Sequence, residues 1–542
     1  MRYLSENKRE DMRMKKRTAA RSMAALMGAA MVLTACGGGN TTAPTTGASS
    51  GGETQTASES AESGKITKTD IVVGQASDIV TLDPAGQQDT TSGVLMKHAY
   101  STLLDVDNEG KVVPDLAESY EMKSDTEYVF KLREDACFWD GTPVTAQDVK
   151  FSLDRAKGMP KTKSNTSKIE EVTVNGDHEV TIKLTEPYAA FKTIVTQHNL
   201  SILSEKAVTE AGDSYGDVDN LLGSGPFKVT EWVPNDHYTL VRNDNYWGEM
   251  PIATSITCRV IPEGSTIALE AGEIDVVWSV DPTDCANVES NPDVKLLSQP
   301  STGIDYVGMN TQKEKFSDKR VRQAINYALD KQTFVDTIIE GRGLVANSYI
   351  NAAIPGWTDE VEAYPYDPEK AKELLAEAGY PDGFECSIFV NGDLRTRSAQ
   401  ILQAQLADVG IKVDISTYEW GALLDTLNAG EHEMFLLGWS NTSFDPDGST
   451  YQLFYSGNHD ATGNRAFFSN DKVDELILSA QRESEESKRM ELYKELQFVL
   501  HDESPWCPLY YKENNVGVRA DLKGFTLHAG AQHYLGNCHY EE

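Results

Sequence analysis

The second half of the chain carries the arginines, indoles and aspartates with most to offer a ligand. Arg395 and Arg397 bear planar guanidinium groups that can clamp a carboxylate through two parallel hydrogen bonds, although exposed arginines beside a helix are just as common. Tyr306, Trp420 and Trp439 have enough ring area to wall a small molecule or to fill a core. Gly438 before Trp439, with the polar loop Ser440-Asn441-Thr442-Ser443 after it, suits the edge of a cleft. Asp445-Pro446-Asp447 supplies a carboxylate for a cation or, equally, a turn and a helix cap. Bond-making chemistry has less support. No G-x-S-x-G elbow is present, although so acidic a chain holds carboxylates enough for a glycosidase couple. No H-E-x-x-H or paired C-x-x-C occurs, and His528, His533, Cys538 and His539 read as a disordered or solvated tail before they read as a metal site. No cofactor is expected.

The start of the chain carries an address. Lys15, Lys16, Arg17 and Arg21 precede the apolar run Met23 to Val32, which is followed by Leu33-Thr34-Ala35-Cys36. A basic patch, a short apolar core and a small-residue cleavage site make a secretory signal peptide over residues 1–35. The run is too short to span a bilayer as a mature helix. Leu33-Thr34-Ala35-Cys36 resembles the bacterial lipobox, whose cysteine is acylated and becomes the new N-terminus. Met12 or Met14 offers an alternative start, because such leaders rarely carry the acidic residues found before them. Residues 36–66 then form the lipidated cysteine and a tether of Gly, Thr, Ser, Ala and Glu that cannot bury a core. As a flexible coil it would reach about 30 Å.

Charge narrows the partners. The 542 residues carry a formal charge of −35. Residues 1–35 hold eight Lys/Arg against three Asp/Glu, a surplus of five, so the remainder carries −40. Such a chain is repelled by nucleic acid and by anionic lipid surfaces. Membrane contact is therefore expected through the lipid anchor alone. Cys137, Cys258, Cys285, Cys386, Cys507 and Cys538 allow many disulfide pairings, and their spacing selects none over buried free thiols.

Candidate ligand residues need a scaffold. Tyr128 to Leu132 and Glu179 to Leu184 alternate apolar and polar residues as half-buried strands do, and Asn175-Gly176-Asp177 signals a hairpin. Residues 106–222 therefore look rich in antiparallel strands. Later, Asp318 caps a helix with Val321, Ile325 and Ala328 on one face. Asp367-Pro368 opens another, and a third is expected from Ser398 to Val409, just after the two arginines. Ile411 to Ile415 follows as a strand. Helix–strand alternation over 316–440 points to an α/β lobe with a largely parallel sheet. In such lobes ligands lie beyond the carboxyl ends of the strands.

Five segments, in order, resemble the family 5 extracellular solute-binding proteins, which include oligopeptide, dipeptide, glutathione and nickel binders. They are Phe138-Trp139-Asp140-Gly141-Thr142-Pro143 running on to Ser152; Gly223-Ser224-Gly225-Pro226-Phe227 with Asn245-Tyr246-Trp247-Gly248; Asn310-Thr311 with Phe316 to Ala324; Asp367-Pro368-Glu369-Lys370-Ala371; and Gly438-Trp439. Most of this signature reads as architecture. Thr145 caps a helix with Asp148 in its first turn. Gly223 and Gly225 suit a bend at a lobe crossing better than a phosphate-cradling loop, which needs a third glycine and a Lys-Ser/Thr.

The resemblance implies a class II periplasmic-binding-protein-like α/β fold of two lobes with an inserted strand-rich domain. Lobe I would take residues 67–105, 225–304 and 513–542, the inserted domain 106–224, and the third lobe 305–512. The hinge would lie at Thr302-Gly303-Ile304 and Tyr510-Tyr511-Lys512. It implies a non-enzymatic monomer that hands a small peptide-like ligand to an ABC permease and its ATPase from the periplasmic or cell-surface face. Nickel-chelate or haem binding is the alternative within the family, and an exported hydrolase or signalling lipoprotein the alternative outside it. Peptide-binding relatives hold the ligand amine with an Asp shortly after Gly-Trp. Thr442 stands at that position, which leaves Asp445 to take the role. Arg395 and Arg397 fall where relatives present an arginine. The stretch through Gly463-Asn464-Arg465 resembles the glutathione-type branch.

Overall fold

The computed structural model describes residues 65–459 and 463–542; the expected leader, Cys36 and the expected tether lie outside them except for Lys65 and Ile66, the latter opening the strand Ile66–Lys68. An eleven-stranded mixed sheet organises the chain. Its centre is a pair of long antiparallel strands, Val294–Met309 and Trp506–Arg519. On one side of the pair lie Met434–Ser440, Glu385–Val390 and Lys412–Thr417. On the other lie Val276–Val277, Asp70–Gln75, Ser255–Val260, His237–Arg242 and Phe227–Val233, and the eleventh strand, Gly343–Val345, pairs with Trp506–Arg519 off this path. From Ser301 to Met309 the first long strand is buried on both faces, as expected of a strand covered by other elements on each side.

The expected α/β alternation appears, with one qualification. Glu385–Val390 runs parallel to Lys412–Thr417 and to Met434–Ser440, but the last of these joins Val294–Met309 antiparallel. Apolar side chains from Val307, Ile388, Leu402, Met434 and Leu436 fill one core there. A separate core joins Ile71, Val73, Leu240 and Ile256 to Val516, Val518 and Leu535. The chain thus has the two-lobed α/β fold with an additional domain. That domain is a four-stranded antiparallel sheet in the order Ala117–Ser124, Glu127–Leu132, Glu179–Leu184, Ile169–Gly176. Its apolar face packs under the helix Ala146–Lys157, where Phe130, Val149, Leu153, Val180 and Ile182 share a core.

Local rules hold at several helix ends. Thr145 and Asp148 form a reciprocal capping box, and Asp367 accepts from the Lys370 amide at the start of Pro368–Glu377. The helix after strand Glu385–Val390 begins earlier than expected, at Gly392, and runs to Ala407. Gly392 takes φ 71 there, a conformation costing glycine little, so Arg395 and Arg397 sit inside the helix and do not precede it. Gly223 and Gly225 serve close approach. A Cβ on either would fall 2.1 Å from the Ala99 carbonyl oxygen and 2.5 Å from the Ala99 carbonyl carbon respectively, and Gly225 donates to that same oxygen at 3.1 Å.

The two long strands lose register twice, briefly between Asp305 and Tyr306 and more widely just before it. Pro300 faces Glu513 and Ile304 faces Tyr511, leaving Ser301, Thr302 and Gly303 opposite Lys512 alone. Ser301 Oγ donates to the Lys512 carbonyl at 2.7 Å across this bulge. Bulges twist and bend a strand locally. No helix among the described residues is long and apolar enough to cross a membrane.

Candidate functional site

A cleft of about 370 Å³ opens where the regions meet. Its walls come from the start of the helix Thr90–Ala99, from Gln197, His198 and Asn199 of the additional domain, and from the helices beginning at Gly392 and Trp420. The strand end Leu437 to Ser440, the bulged strand at Lys512 to Asn515, and Gln532 and His533 complete them.

Four of the sequence-derived candidates meet here. Trp439 lines the cleft with its indole N–H donating to the Gly448 carbonyl at 3.1 Å, which fixes the ring. Gly438 before it has no room for a side chain to spare, since a Cβ would sit 3.1 Å from Asp305 Oδ2. Thr442 lines the cleft and donates to Gln197 Oε1 at 2.9 Å, joining it to the additional domain. Arg395 donates from Nη1 to Asn391 Oδ1 at 2.7 Å and stands 5.9 Å from the Trp420 ring centroid. Trp420 forms the adjacent wall.

Three candidates lie elsewhere. Asp445 is buried and gripped by both terminal nitrogens of Arg489, one at 2.9 Å. Its charge is satisfied inside the protein, which removes it as an amine clamp. Arg397 pairs with Asp281 and, at 3.1 Å, with Asp393. Tyr306 is 1% exposed and stacks on Trp506, with ring centroids 3.4 Å apart; it is core.

Two residues went unremarked as ligand contacts. Asp89 caps the helix Thr90–Ala99, its Oδ1 accepting from the Ser92 amide at 2.9 Å. Its Oδ2 is buried without a hydrogen-bond partner, and burial raises its pKa. The signal was present as Asp89 three residues before Ser92, which reads as a cap and says nothing about a cleft. Arg465 is 5% exposed yet lines the cleft, with Nε donating to Asn428 Oδ1 at 3.1 Å. Burial lowers its pKa, but a guanidinium stays charged at neutral pH. A further cation on the wall, Lys512, is paired with Asp305 at 3.0 Å.

The C-terminal histidines are not a solvated tail. His528, His533 and His539 are buried, as is Cys538. His528 Nδ1 accepts from the Gly530 and Gln532 amides, and His533 Nδ1 accepts from the His528 amide. Imidazole thus replaces strand partners for a coil, and burial holds His528 down to about 4 and His533 to about 3. Among the described residues no group of three or more His, Cys, Asp or Glu is placed to hold a metal ion. The six described cysteines are free thiols, five of them buried.

A cleft between the lobes of an α/β body, walled by indoles and arginines, defines a protein that encloses a small solute. A profile of the bacterial extracellular solute-binding proteins, family 5 (middle), matches residues 111–461. The chain belongs to this family. It is 32% identical over 479 residues to the glutathione-binding protein GsiB of Escherichia coli O157:H7, covering 84% of this chain and 92% of that one. It is 30% identical over 470 residues to the dipeptide-binding protein of Escherichia coli strain K12, covering 80% and 86%. The structure of the periplasmic binding protein DppA from Helicobacter pylori in complex with the peptide STSA superposes with a TM-score of 0.83 at 28% identity, covering 88% and 99%.

Proposed function

We propose that this protein captures a small peptide-like solute outside the cytoplasm and delivers it to an ABC permease and its ATPase without altering it. The observation that carries this reading is the cleft itself: arginine and indole walls on one side of the bulged strand pair, closed on the other by Trp278, Gln532 and His533. Its volume lies near the lower end for ligand pockets, roughly 300–1,000 Å³, and suits a peptide of two or three residues. Relatives named for glutathione and dipeptide support the ligand class.

In the same reading, lobe I takes 67–105, 225–304 and 513–542, the inserted domain 106–224, and the other lobe 305–512. The bulge at Ser301 to Gly303 opposite Lys512 favours bending there. Closure couples to ligand because the ligand touches both walls only when the cleft is shut. Trp439, Thr442, Arg395 and Trp420 are the contacts we assign. Acylation at Cys36 would moor a monomer to the membrane on its outer face.

Native mass spectrometry of the purified chain, followed by calorimetric titration with glutathione and a dipeptide panel, tests the reading. A co-purified or titrated peptide should raise the unfolding free energy by about 2.7 kcal/mol at a hundred times its Kd and contract the solution scattering profile. Unchanged melting and scattering against every peptide would sink it.

A further inference from the structure

The additional domain meets its two neighbours in different ways. Toward the strands Asp70–Gln75 and Ser255–Val260 it shares an apolar core, in which Trp139, Leu203, Val208 and Tyr215 join Ile71, Leu95, Met96 and Tyr100. Arg155 seals that side with both terminal nitrogens on Asp83, at 3.0 and 2.6 Å. Toward the helices Asp447–Phe454 and Asp471–Arg482 the joining contacts are polar. Among the described residues, none from 106–224 belongs to the apolar core that those two helices share. An apolar core parts only by exposing itself to water, whereas polar groups regain hydrogen bonds from water when they separate. Polar interfaces between domains are accordingly the ones at which domains move.

This polar seam is dense and largely dry. Tyr188, 2% exposed, donates to Asp447 Oδ2 at 2.6 Å, and Gln481 donates to Asp447 Oδ1 at 2.9 Å. The Ala189 amide donates to the Gln481 carbonyl at 2.8 Å, a backbone bond across the seam. Ser167 Oγ and Tyr451 OH share a hydrogen bond of 3.1 Å, Gln452 donates to Asn165 at 2.6 Å, and Arg482 pairs with Glu186. Asn165 and Gln452 also line the cleft, so the seam closes the wall between them. Tyr188, Asp447, Tyr451 and Gln481 are not part of that wall. Most of the seam therefore lies out of a ligand's reach.

We propose that this seam is a latch: it parts whenever the cleft opens, and the Tyr188–Asp447 bond at its centre must break before any ligand leaves. This rests on the capture reading above and adds to it a source of holding energy that does not depend on what is held. Tyr188 and Asp447 are positioning residues, acting through the lobes and touching no solute. A bond broken on opening slows opening by its own strength, whichever ligand lies inside.

Two measurements on the full chain test this. The first, without ligand, is hydrogen–deuterium exchange resolved to single residues by mass spectrometry. The Ala189 amide should exchange about 100-fold faster than the slowest amides of Glu179–Leu184, an inner strand of the same domain, because the seam opens far more often than the domain unfolds. The second is stopped-flow release of glutathione and of a dipeptide. Tyr188→Phe should quicken both by one common factor of about 10, the loss of a hydrogen bond to a carboxylate. Tyr451→Phe removes a neutral hydrogen bond, keeps the ring in its core, and should quicken both about 3-fold. Exchange of Ala189 at the rate of the strand would overturn the latch, since the seam would then part only on unfolding. Unchanged release in both variants would overturn it as well. So would a factor confined to one ligand, which marks a contact with that ligand. If neither ligand binds, the capture reading fails for peptides and the exchange rates alone decide the latch.

Discussion

Asp445 and Arg397 show how side-chain chemistry is decided by neighbours far away in sequence. Asp445 has the charge an amine clamp needs, but Arg489, on the helix Glu486–Glu503, consumes it. Removing one partner of a buried pair strands the other, at a cost of about 3–5 kcal/mol. Asp445→Asn should therefore unfold at distinctly lower denaturant while the affinity for peptide per folded molecule stays within a few-fold. A large affinity loss with unchanged stability would return Asp445 to the ligand. Legibility at this scale follows sequence distance. Thr145 with Asp148, or Asp367 with the Lys370 amide, is visible because three residues of helix fix the geometry. The Asp445–Arg489 pair is set by how the loop before the helix Asp447–Phe454 meets the helix Glu486–Glu503, which no local pattern encodes. Arg395 and Arg397 could not both face the cleft, because residues two apart on a helix point to different sides; once the helix was known to start at Gly392, that choice followed.

Among the elements, the helix Gly392–Ala407 does two jobs with those arginines. Arg395 lines the cleft, and Arg397 reaches Asp281, which follows the strand Val276–Val277 on the far side of the central pair. Buried hydrogen bonds tie the additional domain to the region beyond residue 440: Tyr188 donates to Asp447 at 2.6 Å and Gln452 to Asn165 at 2.6 Å. Partly exposed ion pairs are individually weak. Asp281→Asn should thus lower peptide affinity by no more than about 5-fold, chiefly through faster dissociation, and enlarge the unliganded scattering radius slightly. Stopped-flow release that is slower than in the unaltered protein would count against a closing role. The parallel and antiparallel strands themselves were legible from alternation and turn residues. The eleven-strand order was not, since it depends on a strand near residue 300 pairing with one beyond 506.

Across the whole molecule, burial sets the response to acid. Burial lowers His98, His432, His501 and His528 to about 4, and His198 and His533 to about 3, from an ordinary 6.5. The unfolded chain takes up these protons near pH 6.5 while the folded chain refuses them, so this stability is present above pH 6.5 and lost as pH falls toward 4. Asp447 and Asp115, raised by burial to about 6 and about 7, act oppositely: their contribution is full below 3.8 and lost as pH rises. Asp89, raised by burial, and His237, raised by its hydrogen bonds to Asp236 and Glu231, act in the same direction as these two aspartates, and six groups outweigh four. The melting temperature should fall steadily from pH 7 to pH 4.5, with each histidine contributing up to about 1.4 kcal/mol per pH unit; a flat or rising calorimetric profile would contradict it.

The first described strand, Ile66–Lys68, pairs with the last, Tyr540–Glu541, and the Glu542 amide donates to the Lys65 carbonyl at 3.0 Å. Head and tail of the folded body therefore leave from one spot. A few glycines would join them into a ring, and fresh ends could be cut at the exposed hairpin tip near Asp177 without severing the central pair. A reporter fused after Glu542 would, by the same adjacency, crowd whatever precedes Lys65.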